Sequence, residues 1–407
     1  MRTLCPIVPV LACVAAISGH ARAQTPDAYY MHVGNYPVAE TSWSNDAQGV
    51  DHDDNNWYIT TTHDLWRVPV GLDLRTVTAS SPGVIRREVA TRYPPLAAYD
   101  HLGDPDVFRY QGTDYLVVPM EDEDATCNGG VGGAALAFFR ITPTDFFYVT
   151  HRQVPILCND AGWVAINSQG GIVMSQQHVG APPGSPAVTQ RGLHFFTLDW
   201  NQLHNADSAS SLTFTHMQQL TDESGNRLEM VTMQGGEYAP GDNLLYLVSG
   251  FYDDSGGREE REGIHVIDTS TWQRVEHSTR GFGHFDFYYD PGFPTYEEPE
   301  GLTIWDLDDG RSPGVRGQLH VFVSDNDADA GDIDFKHYSY IIRADRNSGV
   351  SCQTGSPSCP FHTVQAAVAL AWNGAEVRAR AGAYSGPLTI SKRIRVSAEG
   401  GVVRIGN

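Results

Sequence analysis

The chain has 407 residues, of which 49 are acidic and 27 are basic, so its formal net charge is −22. This balance argues against DNA, RNA or anionic membranes as partners, because their phosphates require clustered Lys and Arg. It favours neutral or cationic ligands and metal ions, and it is equally what a solubilising acidic surface gives an exported protein.

The first 23 residues have the pattern of a secretion signal. Arg2 supplies a positive start, residues 4–17 form an apolar segment too short to span a bilayer, and residues 21–23 read Ala-Arg-Ala, a cleavage pattern. We therefore expect residues 1–23 to be a signal peptide and the protein to be secreted or periplasmic. No other segment predicts a membrane span.

Four cysteines remain after such a cleavage. An even number of cysteines in an exported chain indicates disulfides, and proximity predicts the pairs Cys127–Cys158 and Cys352–Cys359. Four free thiols are the alternative.

Five units follow one another along the chain. In each, a glycine turn with nearby acidic residues leads into a β-rich strand, and a second strand follows. The spacing of the units, roughly 50–75 residues, is on the scale of propeller and solenoid repeats. The five glycines are Gly49, Gly103, Gly162, Gly235 and Gly301.

The strand pattern predicts an all-β fold. Runs such as WYIT, YLVV and HVFV alternate, turn residues separate them, and helical signals are nearly absent before residue 360. We expect a β-propeller of five blades over residues 24–346. A β-sandwich is the alternative, although a sandwich does not need a recurring glycine-acidic motif.

The C-terminal part has a different character. Residues 347–360 read as a linker of small residues bracketed by cysteines. Thr363 then predicts the N-cap of a short helix whose apolar face contains Val364 and Ala367, ended by Asn-Gly at 373–374. Three short strands, EVRARA, LTISK and RIRVS, are predicted next, followed by VVRIG.

This order of elements resembles the opening of a right-handed parallel β-helix of the pectin-lyase-like kind, in which a short amphipathic helix caps the first coil. The resemblance implies that residues 361–407 form an incomplete β-helix cap. Because the catalytic coils of such enzymes have no counterpart here, the resemblance implies no lyase or esterase activity. A solenoid needs about three repeats to bury its core. We therefore expect either that the chain is a truncated gene product or that the open end meets a partner or the propeller.

Carboxylates recur beside the inner turns of the predicted blades. Asp51, Asp104, Glu237 and Glu300 would converge where the inner strands line a central channel. Oxygen ligands of this type suit Ca²⁺, and a ring of carboxylates without a cation would repel itself. The alternative is that these residues only cap turns.

Two propeller families provide resemblances for these motifs. GDPDVFRYQGTDYLVVP resembles the opening strand of five-bladed arabinanase- and xylosidase-like glycosidases, which implies Asp104 as general base. EPEGLTIW resembles their Glu-Gly turn, which implies Glu300 as general acid. The Asp-Pro motif departs from that pattern because it lies in the second unit. The same turn resembles those of calcium-dependent lactonase- and phytase-like propellers.

Aromatic residues precede the last of these turns. Tyr288, Tyr289 and Tyr296 lie on a Pro/Gly-rich segment, and His101 stands beside Gly103. We expect these four side chains to contact a substrate such as a sugar ring. The hypothesis is an exported propeller that binds or processes extracellular polysaccharide. The alternatives are a Ca²⁺-dependent hydrolase of small esters or phosphates, and a non-catalytic interaction scaffold.

Overall fold

The computed structural model describes residues 31–32, 43–44, 46–122, 133–155, 157, 161–175, 192–208, 211–228, 230, 233–250, 263–278, 297–325, 332–353 and 355–406. Within these residues the chain forms five antiparallel sheets, one smaller parallel sheet and three short helices. None of the described helices is long and apolar enough to cross a membrane.

The five antiparallel sheets are the blades of a β-propeller, as predicted. The chain enters with a two-residue strand, β1 (Met31–His32), which belongs to the last blade. Blade 1 contains β2 (Ala47–His52), β3 (Asn56–Thr61), β4 (Asp64–Pro69) and β5 (Ile85–Glu88). Helix α1 (Val89–Arg92) and a 3₁₀ turn at Pro94–Leu96 lead to blade 2.

Blade 2 contains β6 (His101–Leu102), β7 (Asp106–Tyr110), β8 (Thr113–Glu121), β9 (Ala135–Ile141) and β10 (Phe146–Gln153), with β6 and β7 both paired to β8. Blade 3 contains β11 (Ala165–Ile166), β12 (Ile172–Ser175), β13 (Leu193–Thr197) and β14 (Thr213–Gln218), with helix α2 (Trp200–Ala206) between the last two.

Blade 4 contains β15 (Met233–Tyr238), β16 (Leu244–Ser249), β17 (Gly263–Asp268) and β18 (Gln273–Ser278). Blade 5 contains β19 (Glu297–Ile304), β20 (Leu319–Asp325) and β21 (Asp332–Tyr338). Its fourth strand is β1, which pairs antiparallel with β21. The ring is therefore closed by a strand from the opposite end of the chain.

Five apolar clusters hold neighbouring blades together. Successive strand residues face opposite sides of a blade, so Trp57 of β3 packs toward blade 5 while Tyr58 packs toward blade 2. Phe138 and Phe139 of β9 divide in the same way between the two neighbours of blade 2. Because each aromatic ring of this size removes about 150–250 Å² from water, these contacts dominate the cohesion of the ring.

The C-terminal residues form a compact unit on the propeller. Helix α3 (Val364–Leu370) is capped by Thr363, whose side chain accepts a hydrogen bond from the Ala366 N–H, as predicted. The parallel sheet contains β22 (Ile341–Ala344), β23 (Glu376–Tyr384) and β24 (Arg395–Ile405), in that order. The incomplete β-helix cap that the resemblance implies for residues 361–407 stays a prediction.

Two details of this unit differ from the predicted strands. The LTISK segment is not a strand, because residues 385–393 cross helix α3, where Lys392 donates hydrogen bonds to the Ala369 and Ala371 carbonyls. RIRVS and VVRIG form one continuous strand, β24, instead of two. The strand lies at the edge of its sheet, with Val402 74% exposed, and the partner predicted for this end is untested.

The unit is anchored to blades 4 and 5 by a shared apolar core. Trp372 and Val377 belong to the same buried cluster as Val266 of blade 4 and Val321 of blade 5. The propeller therefore covers the apolar face of α3. The predicted bond between Cys352 and Cys359 is present, just before this helix. Cys127 and Cys158 lie outside the described residues, as do residues 1–23.

The first testable prediction concerns the tight packing of the five glycines. A Cβ on Gly301 would lie 2.4 Å from Asp104 Oδ1 and 2.7 Å from the Gly49 Cα. We expect Gly301→Ala to lower the free energy of unfolding by about 3 kcal/mol, because neither neighbour can move without displacing another blade. Urea unfolding of the two proteins measures the difference.

Gly71→Ala is the matched control, since a Cβ at Gly71 meets no atom within 4 Å. A Gly301→Ala protein as stable as this control would contradict the packing of the axis.

Candidate functional site at the propeller axis

The five recurrent glycines surround the axis of the propeller, which confirms the predicted ring. A Cβ on Gly103 would strike the Gly162 carbonyl oxygen at 2.2 Å, and one on Gly235 would lie 2.8 Å from the Gly301 Cα. Gly49 and Gly301 touch each other in the same way. Because the inner strands approach so closely, only glycine fits at these positions.

Asp104 fills the space that these glycines leave. Its Oδ1 accepts a hydrogen bond from the Val50 N–H (2.9 Å), and its Oδ2 accepts from the Gly236 and Leu302 N–H groups (3.3 Å each). The carboxylate of blade 2 thereby links to blades 1, 4 and 5. Its own N–H donates to the Gly162 carbonyl of the chain entering blade 3, so the residue touches every blade.

Burial dominates the electrostatics of Asp104. The residue is fully buried, which raises the pKa of its carboxyl group well above the ordinary value, while the three backbone N–H groups act in the opposite direction. Both carboxylate oxygens are occupied by protein donors. Asp104 therefore closes the axis at this level and divides the polar residues around it into two groups.

The first group lies on the side where the inner strands end, and we call it the C-side group: Asp51, Asp106 and Glu237. Asp51 Oδ1 accepts from the Thr303 hydroxyl at 2.9 Å, and its Oδ2 accepts from the Val107 N–H of the next blade. Asp106 Oδ2 accepts from the Ile166 N–H at 2.7 Å, again one blade further on. These bonds join neighbouring blades.

Glu237 is the exception in the C-side group. Its Oε2 is buried with no hydrogen-bond partner among the described residues. Burial, and after it the negative charge of Asp51, raises the pKa of both Glu237 and Asp106 well above the ordinary values. Burial likewise raises the pKa of Asp51 itself. The group therefore retains protons at pH values where isolated carboxyls are ionised.

The second group lies where the inner strands begin, and we call it the N-side group: Gln234, Glu298 and Glu300. The Gln234 amide donates to Glu298 Oε1 at 3.1 Å. Burial raises the pKa of Glu298 to about 7. Burial, and then the charges of Glu298 and Asp104, raises the pKa of Glu300 well above its ordinary value. Two interacting carboxyl groups with elevated pKa values thus stand at one end of the axis.

His101 also lies on the N-side. Its Nε2 is 2.8 Å from Gln48 Oε1, and it pairs across the blade with Glu121. Glu121 Oε1 accepts a hydrogen bond from the Ala161 N–H, at the chain segment that enters blade 3. The predicted His101 is therefore held close to the start of the inner strands, where a ligand entering from this side would meet it.

The four predicted metal ligands do not share one mouth of the channel. Asp51 and Glu237 belong to the C-side group, Glu300 belongs to the N-side group, and Asp104 separates them. In the part of the chain that the structure describes, no three His, Cys, Asp or Glu side chains are placed to hold a metal ion. Tyr288, Tyr289 and Tyr296 lie outside the described residues.

Three residues of these groups were not among the predicted site residues. Asp106 and Glu298 stand two positions from Asp104 and Glu300, close to the same glycine turns. Gln234 directly precedes Gly235. The sequence feature that could have identified all three residues is their position beside a recurrent glycine turn.

Comparisons with known proteins give a fold likeness only. No family model matches the chain, and no curated protein matches it. Among solved structures, the GH43_1 enzyme from Xanthomonas citri complexed with xylose has 13% identity and a TM-score of 0.41, over 74% of this chain and 89% of that one.

Two further structures are similar to the same extent. A native arabinanase of Bacillus subtilis has 11% identity and a TM-score of 0.39, covering 75% of this chain and 96% of its own. A putative exo-beta-1,3-galactanase from Bifidobacterium bifidum s17 has 13% identity and a TM-score of 0.39, covering 75% and 91%. At these values the likeness carries no inference about activity, and the five-bladed architecture rests on this chain's own strand pairing.

The second prediction is a pH dependence that Glu298 contributes to stability. Its pKa rises from 4.5 to about 7 on folding, so the folded state binds more protons between these values. The resulting stabilisation, about 3 kcal/mol, is complete below pH 4.5 and is lost as the pH rises through 7. Between pH 5 and pH 8 the free energy of unfolding, measured with urea, should therefore fall more for the unmodified protein than for Glu298→Gln.

Comparing the unmodified protein with Glu298→Gln isolates the contribution of the Glu298 carboxyl group. His194 is buried with its pKa lowered to about 4, so it contributes in the opposite direction, but equally in both proteins. Glu399→Gln, at an exposed position of β24, is the charge-matched control. Identical pH dependence in all three proteins would contradict the raised pKa of Glu298.

Proposed function

We propose that this protein hydrolyses glycosidic bonds of a neutral extracellular polysaccharide at the N-side group. The observation that carries the proposal is the pair Glu298 and Glu300, two interacting carboxyl groups with raised pKa values at the start of the inner strands. Glycoside hydrolysis requires one carboxyl group that donates a proton and one carboxylate that assists attack.

The environments of the two groups assign their roles. Glu300 is the more buried, and its pKa is raised well above the ordinary value by burial and then by the charges of Glu298 and Asp104, so it is the group suited to donate a proton to the leaving oxygen. Glu298 has a pKa near 7, where it is partly ionised and suited to accept a proton from water. The Gln234 amide holds the Glu298 carboxylate in place.

Asp104 is the alternative general base, as the glycosidase resemblance implies. Its two oxygens already accept three backbone hydrogen bonds, so contact with water would require the loss of one of them. This favours a role for Asp104 in holding the axis and positioning Glu300, whose pKa it also raises. His101 and the three tyrosines Tyr288, Tyr289 and Tyr296 remain the proposed substrate contacts.

The charge of the site supports a neutral substrate. Glu298, Glu300 and Asp104 present only carboxyl groups to the N-side, and an acidic polymer would be repelled wherever they ionise. A secreted protein of this kind would meet such polymers outside the cell. We propose in addition that the parallel sheet β22–β24 is the first part of a β-helix cap.

A Ca²⁺-dependent activity is the second candidate. It rests on the raised pKa values of Asp51, Asp106 and Glu237, whose repulsion a nearby divalent cation would reduce, although among the described residues these three side chains are not placed to coordinate one ion together. Ca²⁺ is thus the cofactor for which this chain should be tested. A melting temperature that is unchanged by excess Ca²⁺ and by EDTA would exclude it.

The third prediction tests the hydrolase directly. We expect the wild-type protein to release reducing ends from one of xylan, arabinan or galactan, and Glu300→Gln to lower kcat by about 10²–10⁴-fold because it cannot donate a proton. Glu298→Gln should flatten the limb of the pH–rate profile near pH 7. Reducing-sugar assays between pH 4 and 9 measure both effects.

The control is Glu399→Gln, which should keep full activity, with the melting temperature of each variant measured beside it. If the protein were retained on a polysaccharide affinity matrix but released no reducing ends, the hydrolase proposal would be rejected. The protein would then be a binding scaffold. Full activity of Glu300→Gln would reject its role as the acid.

A further inference from the structure

A pocket lies where the outer edge of blade 4 meets the C-terminal unit. It has a volume of about 430 Å³, within the range of small-molecule sites, and it contains none of the axial carboxylates. On the blade side it is lined by Glu223, Gln273 and Arg274, and on the other side by Asn373, Ile390, Lys392 and Arg393.

The charges on the two sides of the pocket are not balanced. Arg274 forms a bidentate ion pair with Glu223, at 3.0 and 2.9 Å, and these two charges neutralise each other. Lys392 and Arg393 form no ion pair with a carboxylate in the described part of the chain. Two positive charges therefore remain, in a chain whose net charge is −22.

Both cationic side chains are held in position by neutral acceptors. The Lys392 ammonium donates to the carbonyls of Ala369 (2.8 Å) and Ala371 (2.6 Å) at the end of α3, which leaves one of its three N–H groups. The Arg393 backbone N–H donates to Asn373 Oδ1 at 2.9 Å, and its guanidinium makes one long bond, 3.4 Å, to Gln273 Oε1. Most of its five donors remain for a ligand.

Two acidic groups lie nearby and offset part of this charge, but in the described residues neither forms an ion pair with Lys392 or Arg393. Glu276 Oε2 is engaged by the Asn373 N–H, and the contribution of Arg393 to the lowered pKa of Asp268 is smaller than those of the hydrogen bonds to Asp268. The wall beside the cations is apolar, with Val275 buried and Ile390 46% exposed. The pocket thus combines two cations, two side-chain amides and an aliphatic surface.

We propose that this pocket binds an acidic sugar unit, with its carboxylate on Lys392 and Arg393. A guanidinium and an ammonium together match a carboxylate through charge-assisted hydrogen bonds. The side-chain NH₂ of Asn373 matches a hydroxyl group, as does the second lone pair of Gln273 Oε1, since the Gln273 NH₂ already donates to the Asp222 and Glu223 carbonyls. Ile390 matches the C–H face of a sugar ring. This site is independent of the N-side group and of the proposed hydrolysis, so a bound acidic unit tethers the protein without being cut.

Glucuronate is the probe for the experiment, with glucose and inorganic phosphate as comparison ligands. Isothermal titration of the full chain at low ionic strength should show saturable binding of glucuronate. Glucose should bind about tenfold or more weakly, because it lacks the charged hydrogen-bond acceptor. Arg393→Gln should weaken glucuronate binding by a similar factor.

Arg109→Gln is the matched control, since this arginine is exposed on blade 2, far from the pocket in the chain, and its removal changes the net charge equally. Its affinity for glucuronate should equal that of the wild type. Melting curves verify that both variants are folded. Lys392→Gln is a second test variant, and it should also weaken the binding of glucuronate.

Three results would overturn the proposal. Equal binding of glucose would show that the carboxylate is not recognised. Phosphate that competes as well as glucuronate would reduce the pocket to a site for anions alone. Unchanged affinity of both Arg393→Gln and Lys392→Gln would place the ligand elsewhere. Loss of polysaccharide hydrolysis in Glu300→Gln with intact glucuronate binding would separate this site from the N-side group.

Discussion

The carboxylate of Asp104, hydrogen-bonded to backbone N–H groups of three other blades, is the interaction on which the rest of the molecule depends. A propeller ring has no continuous sheet through its centre, so its inner strands need a common partner. One short side chain provides it because five glycines let the strands approach within van der Waals contact. Charge-assisted bonds of this kind are the stronger class of hydrogen bond, and burial strengthens them further.

Closing the axis has a chemical consequence. Carboxyl groups on the two sides of Asp104 lie in separate environments, although Glu237 on one side and Glu300 on the other both feel its charge. On the C-side, Asp51 and Asp106 satisfy backbone donors of the neighbouring blades and therefore serve cohesion. On the N-side, Glu298 and Glu300 are less committed to the backbone, which is what proton transfer requires. The same residue type thus has a structural use on one side and, under the hydrolysis proposed above, a chemical use on the other.

Much of the architecture could be predicted from the sequence because it depends on local signals. The alternation of strands such as β3 and the recurrent glycines identify the blades, and Thr363 identifies the start of α3. The arrangement of the functional sites was harder to predict from the sequence. Whether Glu300 and Glu237 face the same mouth depends on where Asp104 closes the axis, and that contact joins residues of different blades. LTISK was predicted as a strand because its alternation is strand-like, but contacts with α3 override it.

The pairing of β1 with β21 has a consequence for how the protein is made. Met31 is among the first residues of the described chain to leave the ribosome, yet its partner His337 is synthesised after all five inner strands. The ring cannot be completed during most of translation, and a contact of such sequence separation is slow to form. Until then β1 has no partner strand, so a chaperone that binds the unfinished ring would have its longest opportunity there.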